Sequence, residues 1–130
     1  MKEIINKYFE AFNKGDVTGM LSLLDESVIH EANQGKTRHG KKAFEDFLAH
    51  MNHSYKEEIK DLVVMVSENG VNASAEFMVH GTYLKTDSGL PEAKNQKYVI
   101  RAGSFFEAAN NKITRVTTFY NLPHWIELVK

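Results

Sequence analysis

The sequence predicts an α+β domain in which helices pack on one face of a sheet. Two observations carry this. Apolar residues recur at helical spacing as far as Met51, and from Ile59 onward they recur with period two. The turn-forming pairs Asn69-Gly70 and Asn110-Asn111 then punctuate the strand-like half, so consecutive strands there are expected to run antiparallel.

Each element follows from local chemistry. Residues 3–14 place Ile4, Ile5, Tyr8, Phe9 and Phe12 on one stripe, with Lys7, Glu10 and Lys14 elsewhere, and Gly15 stops that helix. Asp16 is a good N-cap for a second helix, apolar at Val17, Met20, Leu21, Leu23 and Leu24. A strand is expected from about Ser27 to Ala32, at the start of VIHEANQGKTRHG, a stretch that opens apolar and turns abruptly polar. A third helix is expected from about Lys41 to Met51, with Phe44, Phe47, Leu48 and Met51 inward. IKDLVVMV reads as a strand. ASAEFMVHGTYLKT reads as a long one, with Ala73, Ala75, Phe77, Val79, Gly81 and Tyr83 on one face. Ser74, Glu76, Met78, His80 and Thr82 share the other face. TDSGLPEAKN, rich in turn formers, joins it to KYVIRAGSFFEA; KITRVTTFYN is the final strand. NLPHWIELV closes the chain, apolar at Leu122, Trp125, Ile126 and Val129. No linker, repeat or low-complexity tract interrupts this order, so residues 1–130 are read as one domain.

Composition narrows the function classes. A chain of 130 residues buries a real core without staples, and it has no cysteine, which excludes disulfides and thiolate chemistry. A formal net charge of −1 is not that of a nucleic-acid binder, and the aromatics recur at core-like spacing rather than among Lys and Arg. The N-terminal MKEIINKYFEAFNKGD is amphipathic and carries acids, unlike a secretory signal, and no stretch is long enough to span a bilayer. A cytoplasmic protein without nucleic-acid or membrane partners is expected.

KYFEAFNKGDVTGMLSLL, followed by a strand and then HGKKAFEDFLAHM, resembles the opening of the nuclear transport factor 2-like superfamily, which includes ketosteroid isomerases and SnoaL-like polyketide cyclases. HEANQG, DLVVM, AEFMVHGTYLKTDSGLP, QKYVIRAGSFFE and RVTTFYNLPHW are similar to a bacterial group known only as ketosteroid isomerase-related. The resemblance runs from about Tyr8 to Trp125. It implies a cystatin-like cone: a strongly curved antiparallel sheet wrapped around three N-terminal helices, with an apolar pocket at the wide end. It also implies a homodimer paired through the convex face of the sheet, with Met78 and His80 among the outward candidates. The superfamily holds enzymes, binding proteins and structural adaptors, so the chemistry has to come from the site.

The isomerase mechanism uses a carboxylate base, a tyrosine and a carboxylic acid kept protonated. The resemblance puts the tyrosine on Tyr8, the base on Ala32 and the acid on Gly103. With two of the three parts missing, steroid double-bond isomerisation by that route is rejected.

The remaining candidates are read residue by residue. Alternation places His30 on the same face as Val28 and Ala32, so His30 points inward if Ala32 does, as the resemblance implies. It is a candidate general base, or equally a core histidine bonded to a backbone carbonyl. Glu31 points the other way, to solvent. Asn33 and Gln34 lie at the strand end, at a pocket rim or simply in turn chemistry before Gly35. Tyr8 and Tyr120 are candidate hydrogen-bond donors to an oxyanion. Phe12, Tyr83, Phe105 and Trp125 are candidate ligand contacts, together with Asn33. Arg101 shares a parity with Gly103 and Phe105; it is an anion clamp if that face is inward, and solvent-exposed if the register slips by one. His50 and His53 are spaced i,i+3, and His39 and His124 are possible neighbours, but no motif unites three ligands, so neither metal nor cofactor is expected. TDSGLPEAKN is either a lid or a loose hairpin end.

These residues suggest a small-molecule enzyme acting by proton transfer on an apolar carbonyl compound, with isomerisation, cyclisation and dehydration all compatible. The lack of an obvious carboxylate base weighs against each. The alternatives are a non-catalytic ligand-binding protein and a dimerisation module whose cavity is filled by its own side chains.

Overall fold

Gly15 ends α1 (Lys2–Lys14) as expected. It adopts φ 68°, its N–H bonds the Phe12 carbonyl at 3.0 Å, and the Asp16 N–H bonds Ala11 at 2.9 Å. That pair of bonds is the Schellman arrangement, for which glycine has no steric penalty. The Asp16 carboxylate then accepts from the Gly19 N–H at 2.9 Å and caps α2 (Val17–Ser22). The chain continues through β1 (Leu24–Ala32), β2 (Arg38–His39), α3 (Lys41–Ser54), β3 (Tyr55–Val66), β4 (Asn72–Tyr83), β5 (Lys97–Ala109), β6 (Lys112–Tyr120) and α4 (Leu122–Val129). This computed structural model describes residues 1–32 and 35–130.

The strands form one curved sheet in the order β2-β1-β6-β5-β4-β3. From β3 to β6 every neighbour is antiparallel, as the turn pairs predict, and Asn110 and Asn111 turn the last hairpin with φ 51° and 64°. β1 differs: it lies parallel to β6, and α3 and the four strands β2 to β5 intervene before the chain returns beside it. The short β2, which the sequence did not announce, pairs with β1 through Ile29–His39 and His30–Arg38.

The apolar stripes of the helices pack on the inward face of this sheet. Phe9 meets Phe77 at 5.1 Å between ring centroids, and Tyr8 meets Phe106 edge-on at 5.6 Å. Among the described residues no helix is long and apolar enough to cross a membrane. β4 carries the two faces read from its sequence, with Ala73, Ala75, Phe77, Val79 and Tyr83 buried and Glu76 exposed.

β3 contains a bulge that the sequence reading lacks. Asp61 sits at φ 55°, and the pairing shifts between Lys60–Met78 and Val63–Glu76. The extra residue reverses the strand's parity. Tyr55, Glu57 and Ile59 therefore face inward before the bulge, and Leu62 and Val64 after it.

Candidate active site

A cavity of about 400 Å³ lies between α1, α3 and the inward face of the sheet. Its walls are mostly apolar, including Phe9, Phe12, Leu48, Ile59, Phe77, Val79 and Ile100. Polar groups collect at two ends.

One end is built around a carboxylate. Glu57, Gly81 and Tyr98 are direct partners across β3, β4 and β5. A Cβ on Gly81 would stand 2.3 Å from Cζ of Tyr98, so the glycine leaves room for the ring to lie across the strand. The Tyr98 hydroxyl thereby reaches Glu57 and donates to Oε2 at 2.5 Å. Burial pushes the Glu57 carboxyl above the usual carboxylate range, and the Tyr98 hydrogen bond only partly opposes this.

Beside it, Asp87 accepts from the Tyr55 hydroxyl at 2.8 Å and lies 3.1 Å from Nε2 of His50. Burial opposes its ionisation, but these two partners outweigh burial and hold Asp87 below its ordinary pKa. The Asp87 N–H donates to the Tyr83 hydroxyl at 2.9 Å, which donates in turn to the Pro91 carbonyl at 2.7 Å. The Gln96 side chain donates to the Val129 carbonyl at 2.8 Å. The 84–96 connection is thus a pinned cover whose Asp87 and Leu90 line the cavity, rather than a loose hairpin end.

His30 forms the other end. It is 3% exposed, with its ring 4.2 Å from Phe44 and 4.5 Å from Phe47 between centroids. Among the described residues its Nδ1 has no hydrogen-bond partner. Burial first, and then the positive charge of Arg38, lower its pKa to about 4, against a smaller opposing effect of Glu31. Arg38 lies over the Phe47 ring, 4.8 Å from the centroid. Ser104 and Thr118, hydrogen-bonded to each other at 2.7 Å, also line the cavity.

Of the residues singled out in the sequence, His30, Tyr8, Tyr120, Phe12 and Trp125 all line this cavity. Burial holds the Tyr8 hydroxyl protonated well above the usual phenol range. Burial, then the Glu57 and Asp87 carboxylates, push Tyr120 the same way. Tyr83 is fully buried behind the wall, stacked on Tyr55 at 5.4 Å, and holds the cover instead of touching the cavity. Asn33, with Gln34, lies outside the described residues.

Arg101 and Phe105 are corrections. The β5 register turns both outward, because Ala102 and Ser104 take the inward places. Arg101 pairs with Glu76 at 3.1 Å on the outer face, and Phe105 is 48% exposed. Gly103, aligned with the isomerases' protonated acid, shares that outward parity, and neither inward neighbour is a carboxylic acid. Glu31 faces away from His30 and accepts from Thr117 at 2.7 Å. His39, His53 and His124 are exposed, and among the described residues no group of three or more metal-ligating side chains is brought together.

The sequence reading missed Glu57, Tyr98, Tyr55, Asp87 and Arg38. Of these only Tyr98 has a sequence signal: Gly81, an interruption in an otherwise apolar strand face. Such a gap marks a close approach by another group.

A family model for the SnoaL-like domain matches residues 5–116. Among solved structures, a protein of Silicibacter sp. provisionally assigned as a polyketide cyclase is 51% identical, with a TM-score of 0.97 over 99% of this chain and 94% of that chain. A protein of Pseudomonas putida with the same provisional assignment is 49% identical, with a TM-score of 0.97 over 98% and 96%. A nuclear transport factor 2-like protein of Burkholderia xenovorans, 14% identical with a TM-score of 0.78 over 98% and 94%, shares the fold alone. No curated protein matches the chain.

Proposed function

We propose that this chain, which belongs to the SnoaL-like domain family, is a proton-transfer enzyme of the cyclase or isomerase type acting on an apolar carbonyl compound. The observation that carries this reading is Glu57, a carboxylate with a raised pKa in the cavity wall, oriented by Tyr98. A raised carboxyl pKa brings a general base closer to the working pH. Ionised Glu57 takes a proton from the carbon beside the carbonyl. The C–H electron pair becomes the C=C of an enolate, and the carbonyl oxygen gains the charge. Tyr120 or Tyr8, both kept protonated, donates a hydrogen bond to that oxygen. Return of the proton to another carbon completes an isomerisation; attack of the enolate carbon on a second carbonyl breaks its C=O π bond, and return of the proton from Glu57 to the resulting alkoxide completes a cyclisation. The polyketide cyclase assignments of the two similar bacterial proteins favour the second outcome. His30, with a pKa of about 4, is neutral at pH 7 and a weak base, so it serves here as a hydrogen-bonding group.

Deuterium uptake into 2-tetralone in heavy water, followed by NMR, tests the assignment. Wild-type protein is expected to accelerate exchange, and Glu57→Gln to lose about a hundredfold or more of that rate. Equal exchange by both proteins would remove Glu57 from the mechanism. Ketone binding without exchange would favour the ligand-binding alternative.

The same reading includes a homodimer. The outer face of the sheet exposes Val63, Met65, Val99, Phe105 and Phe119, a shared apolar surface of the kind that marks an interaction site.

A further inference from the structure

We propose that Arg38 and His30 form an anion subsite, so that the compound accepted by the cavity carries a carboxylate in addition to its reactive carbonyl. This deepens the acid–base reading, and rests on it only for placing the reacting carbon near Glu57.

The argument starts from a contrast among the chain's arginines, Arg38, Arg101 and Arg115. Arg101 pairs with Glu76 at 3.1 Å and Arg115 with Glu107 at 3.2 Å. Arg38 has no carboxylate partner among the described residues. Its hydrogen bond is a 3.5 Å contact to the Lys36 carbonyl, and its guanidinium rests on Phe47. It is nonetheless half-buried and lines the cavity. Glu31, close in sequence, is committed to Thr117 and Thr37 on the other side of β1. A half-buried guanidinium held on a ring is preorganised for a planar, two-oxygen acceptor, and leaving it unpaired is unfavourable.

His30 is the second, independent observation. It is the register partner of Arg38, almost fully buried, and among the described residues its Nδ1 has no partner. A buried nitrogen left unsatisfied is destabilising, so folding alone gives no reason to keep it beside a cation. A bound carboxylate supplies the counter-charge to Arg38 and an acceptor for an imidazole N–H.

The opposite end then orients the molecule. Glu57 on β3 is four strand spacings from His30 on β1, about 19 Å along the sheet and less across its curve. Glu57 and Asp87 repel a carboxylate while Arg38 attracts it, so the reactive carbonyl points to Glu57. The ligand class is an apolar keto acid.

Binding of 2-naphthoate and of its uncharged analogue 2-naphthamide, measured by calorimetry at pH 7, tests the subsite without any turnover. Wild-type protein is expected to prefer the acid by about tenfold or more. Arg38→Met should abolish the preference, Arg38→Lys should retain part of it, and Arg101→Met, on the outer face, should leave it in place. Equal binding of acid and amide, binding of neither, or a preference that survives in Arg38→Met overturns the proposal. The two readings fail separately: deuterium exchange that depends on Glu57, with no preference for the acid, removes the subsite and leaves the base. A preference for the acid without that exchange does the reverse.

Discussion

His30 ties the stability of the protein to pH. Its pKa in the fold is about 4, below the ordinary 6.5, so the unfolded chain takes up the proton more readily. Above pH 6.5 both states are neutral there and nothing is lost. As pH falls from 6.5 towards 4 the unfolded state gains, and the loss reaches about 3 kcal/mol once the folded histidine also titrates. His30→Phe should flatten this dependence. Urea midpoints between pH 4 and 7, measured for both proteins, check it, and parallel curves would mean that other groups govern acid stability. Because the imidazole touches Phe44 and Phe47, its ring belongs to the packing even though its nitrogens belong to the site.

At the scale of elements, the row Glu57–Gly81–Tyr98 is built by three strands at once. Gly81→Ala puts a methyl where the Tyr98 ring lies, so the ring, which is packed against Trp125, has to shift. The variant should melt below wild type, because the overpacking cost of about 1–3 kcal/mol exceeds the gain of roughly 0.5–1 kcal/mol from alanine in a strand. It should also raise the acid limb of the pH–rate profile, because Glu57 loses the hydrogen bond that favours its charged form. Tyr98→Phe should move the limb in the same direction. An unchanged limb in both variants would show that Tyr98 does not tune Glu57. This row also marks where sequence reading stops. The helical stripes and both faces of β4 are legible because their periods run unbroken, whereas the inward positions of His30 and Tyr120 come from the family resemblance. Glu57 is not legible. Counting back by twos from Leu62 and Val64 gives it the outward parity, inside the charged run KEEIKD, and only the bulge at Asp61 turns it in. Arg38 was hidden for another reason: a two-residue edge strand has no period to read.

For the whole molecule, the outer face of the sheet makes the prediction. Phe119 is 53% exposed and Val99 is 47% exposed. If a second copy covers them, wild-type protein should sediment as a dimer, and Val99→Asp combined with Phe119→Asp should sediment as a monomer. A wild-type monomer at micromolar concentration would leave that apolar face without a partner copy. The cavity opens on the other side of the sheet, so the monomeric variant should retain 2-naphthoate binding.

The place of β6 has a consequence for how the chain is made. Residues 112–120 are the last strand in sequence, yet they lie between β1 and β5. Until they leave the ribosome, β1 has only the two-residue β2 beside it, and the edges of β1 and β5 that β6 joins stay unpaired. Joining residue 30 to residue 116 closes a long loop, which places this step among the slow ones. The centre of the sheet is therefore assembled after its flanks, and a nascent chain carries no pocket until residues 112–120 have been synthesised.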